Sequence, residues 1–292
     1  MRVAEYPNPA HVLVHISDTH LIAPSEGLLY GVADATRHVA RLLAELERME
    51  LGAQALLFTG DLADTGDPAA YQELRRLVTA TADRIGAQVL WCMGNHDRRE
   101  NFRRKLLDLE PTDEPFDEVR WLGGLRVIVL DSTVPGQAWG ELRPGQLTWL
   151  REQLATPAPE GTLLAMHHPP MPCVQEMAIT CELFGQAALA DVVRGTDVRA
   201  ILAGHVHHAS HAMFAGIPVS TATATSYTQD LTTPDAGTRG RDAAQGFNVV
   251  RVFDDTIHHA VVEPSGGRTV GREWSGAGAR AVLADQGIVR PS

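Results

Sequence analysis

The chain has 292 residues, of which 44% are hydrophobic and 21% are charged, and its formal net charge is -11. This length and composition allow one large α/β domain or two smaller ones. The negative charge argues against a protein that binds long nucleic acids, because such proteins normally present a basic face.

Cysteines are few, and the amino-terminal residues have no pattern of a secretory leader. The three cysteines, Cys92, Cys173 and Cys181, suggest neither a disulfide framework nor a thiolate metal cluster, which favours a reducing compartment. No apolar run approaches the roughly 18 residues of a membrane span. We therefore expect a cytoplasmic protein without a transmembrane segment.

Short apolar runs alternate with segments of helical periodicity. Six runs have the length and continuity of strands covered on both faces: 11–16, 55–58, 89–93, 125–130, 162–166 and 198–203. Four helices are predicted: from near Asp34, after the cap Asp67-Pro68, over 147–154 and over 188–193. This order of strands and helices predicts an α/β fold.

The last third of the chain is less regular. Strand-like runs at 217–222 and 247–253 flank a polar loop, 228–245, which is long enough to be functional or mobile. A glycine-rich tail contains a short amphipathic stretch at 279–283. We expect one domain over residues 1–265 and a tail, 266–292, that packs on it.

Polar residues suited to metal binding follow five of the six predicted strands. Ligands of such sheets bind at the carboxyl ends of the strands, and residues two apart project to one side if the chain stays extended. Oxygen and nitrogen donors suit Fe, Mn, Zn or Co. Seven donors are too many for one ion and suit two ions that share a carboxylate. The candidates are Asp18, His20, Asp61, Asn95, His167, His205 and His207.

Each of these short motifs alone has a simpler interpretation. Gly94-Asn95-His96-Asp97 fits an ordinary turn, since glycine and asparagine favour turn conformations. His167-His168-Pro169-Pro170 fits a loop in which prolines stop a strand. All of the motifs occur in one chain, each directly after an apolar run. The combination favours a metal site.

Taken together, the motifs resemble the five blocks of the calcineurin-like metallophosphoesterase superfamily. The blocks are Asp18-Thr19-His20, Gly60-Asp61-x-x-Asp64, Gly94-Asn95-His96-Asp97, His167 and Gly204-His205-x-His207, within residues 11–210. The resemblance implies a four-layer α/β/β/α sandwich of two mixed sheets. It also implies one metal on Asp18, His20, Asp61 and His207, a second on Asp61, Asn95, His167 and His205, and Asp61 as the bridge.

Details of the blocks narrow the resemblance. Thr65 and Asp97 stand where phosphoprotein phosphatases have Arg and Glu, and the Tyr ligand of purple acid phosphatases is missing. The chain is most similar to bacterial class III cyclic-nucleotide phosphodiesterases, and residues 227–231 and 237–242 resemble mycobacterial members.

This resemblance implies that a metal-activated water hydrolyses 3',5'-cyclic nucleotides, 2',3'-cyclic nucleotides or both, such as cAMP, and other phosphodiesters, with an Fe/Mn pair favoured. It also implies a homodimer, for which Trp139, Trp149 and Met171 would offer apolar surface; the alternative is that these residues belong to the core. A nucleotide-pyrophosphate or other small phosphodiester hydrolase stays an alternative. A catalytically inactive scaffold is disfavoured, because every expected ligand is present.

Further roles are assigned to groups beside the ligands. We predict His96 and Asp64 as catalytic residues: His96 would stabilise the transition state or protonate the leaving oxygen, and Asp64, like Asp97, would orient a histidine. A structural hydrogen bond is the alternative for His96. We expect His168, His208 and His211 to lie behind the ligands or at the surface, and Arg239 and Arg241 to be solvated or to contact a phosphate or base.

Overall fold

The computed structural model describes residues 2–264 and 268–291. In chain order its strands are β1 (Arg2–Val3), β2 (His11–Ile16), β3 (Ala55–Thr59), β4 (Gln88–Cys92), β5 (Glu118–Leu122), β6 (Leu125–Leu130), β7 (Gly140–Glu141), β8 (Thr162–Met166), β9 (Leu183–Phe184), β10 (Val198–Ala203), β11 (Ser210–Phe214), β12 (Ile217–Thr221), β13 (Thr228–Gln229), β14 (Gly240–Arg241), β15 (Phe247–Val252), β16 (Ile257–Val262) and β17 (Ile288–Val289).

Six α-helices lie among the described residues: α1 (Ala35–Met49), α2 (Pro68–Ile85), α3 (Arg99–Leu106), α4 (Pro144–Leu154), α5 (Gln186–Val193) and α6 (Gly276–Asp285). As predicted, Asp67 caps α2, accepting hydrogen bonds from the backbone N–H groups of Ala69 and Ala70 ahead of the first-turn proline. No helix in the described ranges is long and apolar enough to cross a membrane.

Most strands belong to two mixed sheets. The first has the order β16-β15-β2-β3-β4, with β2, β3 and β4 parallel and β15 and β16 antiparallel at one edge. The second has the order β11-β12-β10-β8-β6-β5, with four parallel central strands and an antiparallel strand at each edge. The parallel strands of each sheet direct their carboxyl ends to one edge.

Three layers of buried apolar side chains hold the two sheets and the helices together. One layer packs α1, α2 and α3 on the first sheet, for example Leu42 and Leu74 on Phe58. Another packs α4 and α5 on the second sheet. The third lies between the sheets, where Leu57 and Leu202 are fully buried. The predicted α/β/β/α sandwich of two mixed sheets is therefore confirmed.

The six predicted strands all form within one residue of their expected bounds, but several elements were not predicted. The strands β5, β11 and β16 lie at sheet edges with one face exposed, so they lack a continuous apolar run. Charged residues dominate α3, and its buried side chains are few. The polar loop contains the short hairpin β13–β14.

The carboxyl-terminal tail contacts the beginning of the chain. Strand β17 pairs in parallel with β1, and Arg290 Nη1 donates to Asn8 Oδ1 over 2.7 Å. The amphipathic stretch lies within α6. The predicted boundary between residues 265 and 266 lies outside the described residues, so one domain with a packed tail stays our prediction.

Of the three residues considered for an apolar dimer surface, the structure places Met171 in the core. Met171 is only 8% exposed and packs in the core of the second sheet, so it offers no surface to a partner. Trp149 is partly buried against the same core. Trp139 instead packs edge-on against Phe184, with 5.3 Å between ring centroids, and Phe184 is 48% exposed.

Candidate metal centre

The loops after β2, β3, β4, β8 and β10 bring the seven predicted ligands to one edge of the sandwich. Backbone hydrogen bonds fix two of these loops against each other: Asp18 N–H donates to Gly60 O over 3.1 Å, and His20 N–H donates to Asp61 O over 2.9 Å. Asp18, His20, Asp61 and His167 are almost fully buried. The parallel sheets thus determine where the ligands meet.

The backbone at the ligands is not extended, contrary to the premise behind the spacing of two residues. Asp18, His20, Asp61, His205 and His207 all have left-handed φ angles, between 41° and 74°. Such a conformation costs a non-glycine residue about 1 kcal/mol or more and persists where the surrounding structure holds it. The side chains converge because the loops turn tightly, rather than because a strand continues.

Two glycines permit the close approach of these loops. A Cβ atom at Gly94 would lie 2.1 Å from the backbone nitrogen of Asp61, and one at Gly204 would lie 1.8 Å from Ser17 Oγ. Both distances are far below van der Waals contact. A side chain at either position would therefore displace Asp61 or the strand end that carries Asp18.

The first predicted ligand set forms one compact group. The ligand atoms of Asp18, His20, Asp61 and His207 all lie within 4.8 Å of one another. His20 Nε2 lies 3.1 Å from His207 Nε2 and 3.3 Å from Asp61 Oδ2. This is the arrangement expected around a single cation.

The second predicted set gathers on the other side of Asp61. His167 Nε2 lies 3.3 Å from Asp61 Oδ2, 3.1 Å from Asn95 Oδ1 and 3.1 Å from His205 Nδ1. One carboxylate oxygen, Asp61 Oδ2, therefore faces both groups at the same distance. The cluster fits a dinuclear metal site with Asp61 between the two ions.

The outer nitrogen of each imidazole has a hydrogen-bond acceptor. His20 Nδ1 donates to Asp64 Oδ1 over 2.9 Å. The other three rings donate to backbone carbonyl oxygens over 2.7–2.9 Å: His167 Nδ1 to Thr59 O, His205 Nε2 to Cys181 O and His207 Nδ1 to Tyr227 O. A proton on the outer nitrogen leaves a lone pair on the inner nitrogen. In neutral rings, two inner lone pairs 3.1 Å apart cannot hydrogen-bond to each other, whereas a cation between them satisfies both.

Carboxylates and burial act in opposite directions on the four imidazoles. Burial disfavours the charged form of His20 and of His167. The hydrogen bonds and negative charge of Asp61 outweigh this effect, so the pKa of His20 is raised to about 10 and that of His167 to about 9. Burial lowers the pKa of His205 and that of His207 to about 4. The centre therefore attracts positive charge most strongly beside Asp61.

His96 and Asp64 lie beside the centre. His96 N–H donates to Asp61 Oδ1 over 2.9 Å, and its ring Nδ1 donates to the carbonyl oxygen of Asp64 over 2.7 Å. Asp64 accepts from His20 and, over 2.7 Å, from the hydroxyl of Tyr30. Among the described residues no group hydrogen-bonds to His96 Nε2, and the Asp64 side chain contacts the ring of His20.

Asp97 does not orient a histidine. The hydrogen bonds of its buried carboxylate in the described part of the chain come from the backbone N–H groups of Leu62, Ala63 and Gly94 and from the hydroxyl of Tyr71. Because these donors belong to three different segments, Asp97 holds the loop after β3 against the loop after β4. The prediction that Asp97 orients a histidine was wrong, because the sequence does not show in which direction a side chain in a turn points.

The other polar groups mostly lie behind or away from the centre. His168 is buried, and its ring hydrogen-bonds to Ser132 Oγ and to the carbonyl oxygen of Ala138. His208 is buried beside Ser210, and His211 is exposed. Arg239 pairs with Asp230, and Arg241 Nε donates to Thr228 Oγ1 over 3.2 Å. Both arginines therefore hold the loop rather than the site.

A cavity of about 390 Å³ opens onto the metal centre. The metal-facing wall contains Asp61, Asn95, His96, His205 and His207. Two segments that carry none of the five blocks also line the cavity: residues 171–181, and the polar loop with the preceding Tyr227. The ring of Tyr227 lies 4.3 Å from that of His207. Two signals in the sequence pointed to part of this wall: the unusual length of the polar loop, and the resemblance of residues 227–231 and 237–242 to mycobacterial members.

The fold and the paired donor groups define a metal-dependent phosphoesterase. A model of the calcineurin-like phosphoesterase family matches residues 11–209, and the chain belongs to that family. It is therefore a hydrolase.

Known proteins similar to this chain include phosphodiesterases and a phosphatase. The chain is 55% identical to the cAMP/cGMP dual specificity phosphodiesterase of Mycobacterium tuberculosis, over 100% of this chain and 92% of that protein. It is also 55% identical to a probable cyclic nucleotide phosphodiesterase of Rhodococcus erythropolis, over 93% and 89%. A dimetal phosphatase from Danio rerio has the same fold, with a TM-score of 0.65, 16% identity, and coverage of 88% and 98%.

We predict that the purified protein binds about two transition-metal ions per chain. Asp61→Ala should lose both ions, because it removes the oxygen that faces both groups, whereas His205→Ala should lose chiefly one. Asp191→Ala removes an exposed acidic group of α5 and should keep both. Elemental analysis by mass spectrometry measures the ratio. One ion or none in active protein would contradict the dinuclear assignment.

Proposed function

We propose that this chain is a dinuclear-metal phosphodiesterase that hydrolyses cyclic nucleotides, of the 3',5' or the 2',3' type, and other small phosphodiesters. The observation that carries the proposal is the single oxygen Asp61 Oδ2 between two groups of metal donors at the floor of a cavity. The cavity volume lies within the ~300–1,000 Å³ typical of small-molecule sites. The names of the two 55%-identical relatives support the nucleotide part.

Bound metal ions would be held by Asp18, His20, Asp61 and His207 on one side and by Asp61, Asn95, His167 and His205 on the other. Two such ions supply a hydrolytic nucleophile near neutral pH and positive charge for the phosphoryl oxygens. The donor set suits Fe, Mn, Zn or Co, and we favour an Fe/Mn pair from the resemblance to class III enzymes.

His96 is the residue of this chain that we propose as the acid of the reaction. Since the carbonyl oxygen of Asp64 holds Nδ1–H, the imidazolium form of His96 would give its second proton, on Nε2, to the leaving oxygen of a substrate in the cavity and become the neutral Nδ1–H imidazole. Asp64 positions this ring through its backbone and the His20 ring through its side chain. The backbone carbonyl and the carboxylate of Asp64 thus hold the proposed acid and a predicted metal ligand side by side.

The substrate class is tested by a turnover panel. We expect Mn-, Fe- or Zn-loaded protein to hydrolyse cyclic nucleotides with a higher kcat/KM than dinucleotides, nucleotide pyrophosphates or phosphoproteins, and a chelator to abolish the activity. Higher kcat/KM on a pyrophosphate or another small diester would select the alternative function instead. No turnover of any substrate by fully loaded protein would select a binding scaffold, which the complete ligand set disfavours.

The role of His96 is tested by the dependence on the leaving group. A ribose alkoxide needs a proton as it leaves, whereas a nitrophenolate does not, so His96→Ala should slow cyclic-nucleotide hydrolysis about 10²–10⁴-fold. Hydrolysis of bis-nitrophenyl phosphate should fall far less, with metal content unchanged. His211→Ala, which removes an exposed histidine, is the control. Equal losses on both substrates would indicate charge stabilisation instead, and loss of metal would indicate a structural role.

We also propose that the chain forms a homodimer through the apolar surface around Trp139 and Phe184, and that it acts in the cytoplasm. The exposed aromatic pair supports the first proposal. The free state of Cys92, Cys173 and Cys181 supports the second. Sedimentation should show a dimer that Phe184→Asp dissociates and that Met213→Asp, at another exposed apolar residue, leaves intact. A monomer at high concentration would exclude the dimer.

A further inference from the structure

A tight turn over residues 29–32 holds an aromatic residue in an unusual backbone conformation. The backbone N–H of Val32 donates to the carbonyl oxygen of Leu29 over 3.1 Å, which closes the turn. The two residues between them, Tyr30 and Gly31, both have left-handed φ angles, of 50° and 71°. Turns of this kind favour glycine, asparagine or aspartate at these positions. A tyrosine there is strained and persists only where another contact holds it.

Burial of the Tyr30 ring does not supply that contact. Leu29 is buried in a small apolar cluster against which Ile22 and Tyr227 pack, but Tyr30 itself is 62% exposed. Its polar end is anchored instead, because its hydroxyl donates to Asp64 Oδ1 over 2.7 Å. A hydrogen bond from a neutral hydroxyl to a carboxylate is of the strong, charge-assisted kind. The strained turn therefore serves to bring the Tyr30 hydroxyl to Asp64.

The same carboxylate oxygen supports a predicted metal ligand. Asp64 Oδ1 accepts from His20 Nδ1 over 2.9 Å. The other ring nitrogen, His20 Nε2, lies 3.3 Å from Asp61 Oδ2 and 3.1 Å from His207 Nε2, within the first predicted ligand set. A hydrogen bond to the outer nitrogen fixes the tautomer and the orientation of a ligand ring. Asp64 thus connects the Tyr30 hydroxyl to one half of the metal centre.

The support of His20 differs in kind from that of the other histidine ligands. Backbone carbonyl oxygens hold the other three, which are His167, His205 and His207. A carboxylate side chain can rotate about its own bonds, so it holds a ring firmly only where a second group holds the carboxylate. Among the described residues, the Tyr30 hydroxyl is the one group besides His20 that donates a hydrogen bond to this carboxylate.

We propose that Tyr30 is a positioning residue of the metal centre: by holding Asp64 against His20, its hydroxyl strengthens the binding of the ion of the first ligand set. The inference rests on the dinuclear centre of the proposed function and adds a residue outside the five sequence blocks. Loss of such support from a ligand lowers metal affinity about 10–100-fold. The ion of the second set should not depend on Tyr30, because backbone carbonyls hold both of its histidines.

Retention of metal by Tyr30→Phe, which removes the hydroxyl and keeps the ring, tests this role. Protein loaded with Mn²⁺ is equilibrated in chelator buffers of graded free Mn²⁺, and elemental analysis counts the ions retained per chain. One of the two ions should be lost at about 10-fold higher free Mn²⁺ than in the unaltered protein, and the other at the same concentration. Tyr6→Phe removes the hydroxyl of another half-exposed tyrosine and should retain both ions like the unaltered protein.

Combined variants identify the ion and the route. On a His205→Ala background, which retains the first ligand set, Tyr30→Phe should still weaken Mn²⁺ binding about 10-fold. On a His207→Ala background, which retains the second set, it should have no effect. On an Asp64→Ala background Tyr30→Phe should cause no further loss, because Tyr30 acts through that carboxylate. A merely structural role of Tyr30 would weaken both ions alike or neither.

The outcomes distinguish this inference from the proposed function. If the unaltered protein binds two ions and hydrolyses cyclic nucleotides but Tyr30→Phe retains both ions equally well, the positioning role is overturned and the proposed function stands. Equal weakening of both ions, or a further loss on the Asp64→Ala background, also overturns it. If the selective loss occurs but the loaded protein turns over no cyclic nucleotide, the positioning role is supported and the proposed substrate class is wrong. One ion in the unaltered protein overturns the positioning role together with the dinuclear centre.

Discussion

The rest of this structure depends on the carboxylate of Asp61. Its Oδ2 faces His20 and His167 at the same 3.3 Å, while its Oδ1 accepts from the backbone of His96. Three strand ends meet at this one side chain, and Gly94 is a glycine because the Asp61 backbone occupies the space of its Cβ. The left-handed backbone at Asp61 and at four other ligands is the cost of that convergence.

Much of the fold and of the site could be predicted from the sequence, for reasons that are visible in the structure. Strands such as β3 and β8 are buried on both faces, so their sequences are continuously apolar and easily recognised. The ligands follow those strands directly, so their position in the chain implies their position in space. Edge strands such as β11 have one face exposed to solvent, so polar residues interrupt the apolar run by which the central strands are recognised.

What could not be predicted depends on directions and on main-chain groups. The identical spacing of Asp18 with His20 and of His205 with His207 suggested extended chain, but tight turns produce the same convergence. Asp97 and Asp64 both follow a predicted strand and look equivalent in sequence. In the structure Asp97 accepts hydrogen bonds from backbone N–H groups, whereas Asp64 accepts one from the ring of His20. The cavity wall formed by residues 171–181 carries no motif, because it becomes a wall only when distant segments of the chain meet.

The backbone carbonyls of Thr59, Cys181 and Tyr227 hold three of the four predicted histidine ligands. A main-chain carbonyl is present whatever side chain its residue bears. Mutation can therefore alter the side chain at position 181, and with it the wall seen by a substrate, while the support of His205 is inherited unchanged. Substitutions in the cavity wall can therefore change which substrates bind, while the backbone carbonyls continue to orient the histidines proposed for hydrolysis.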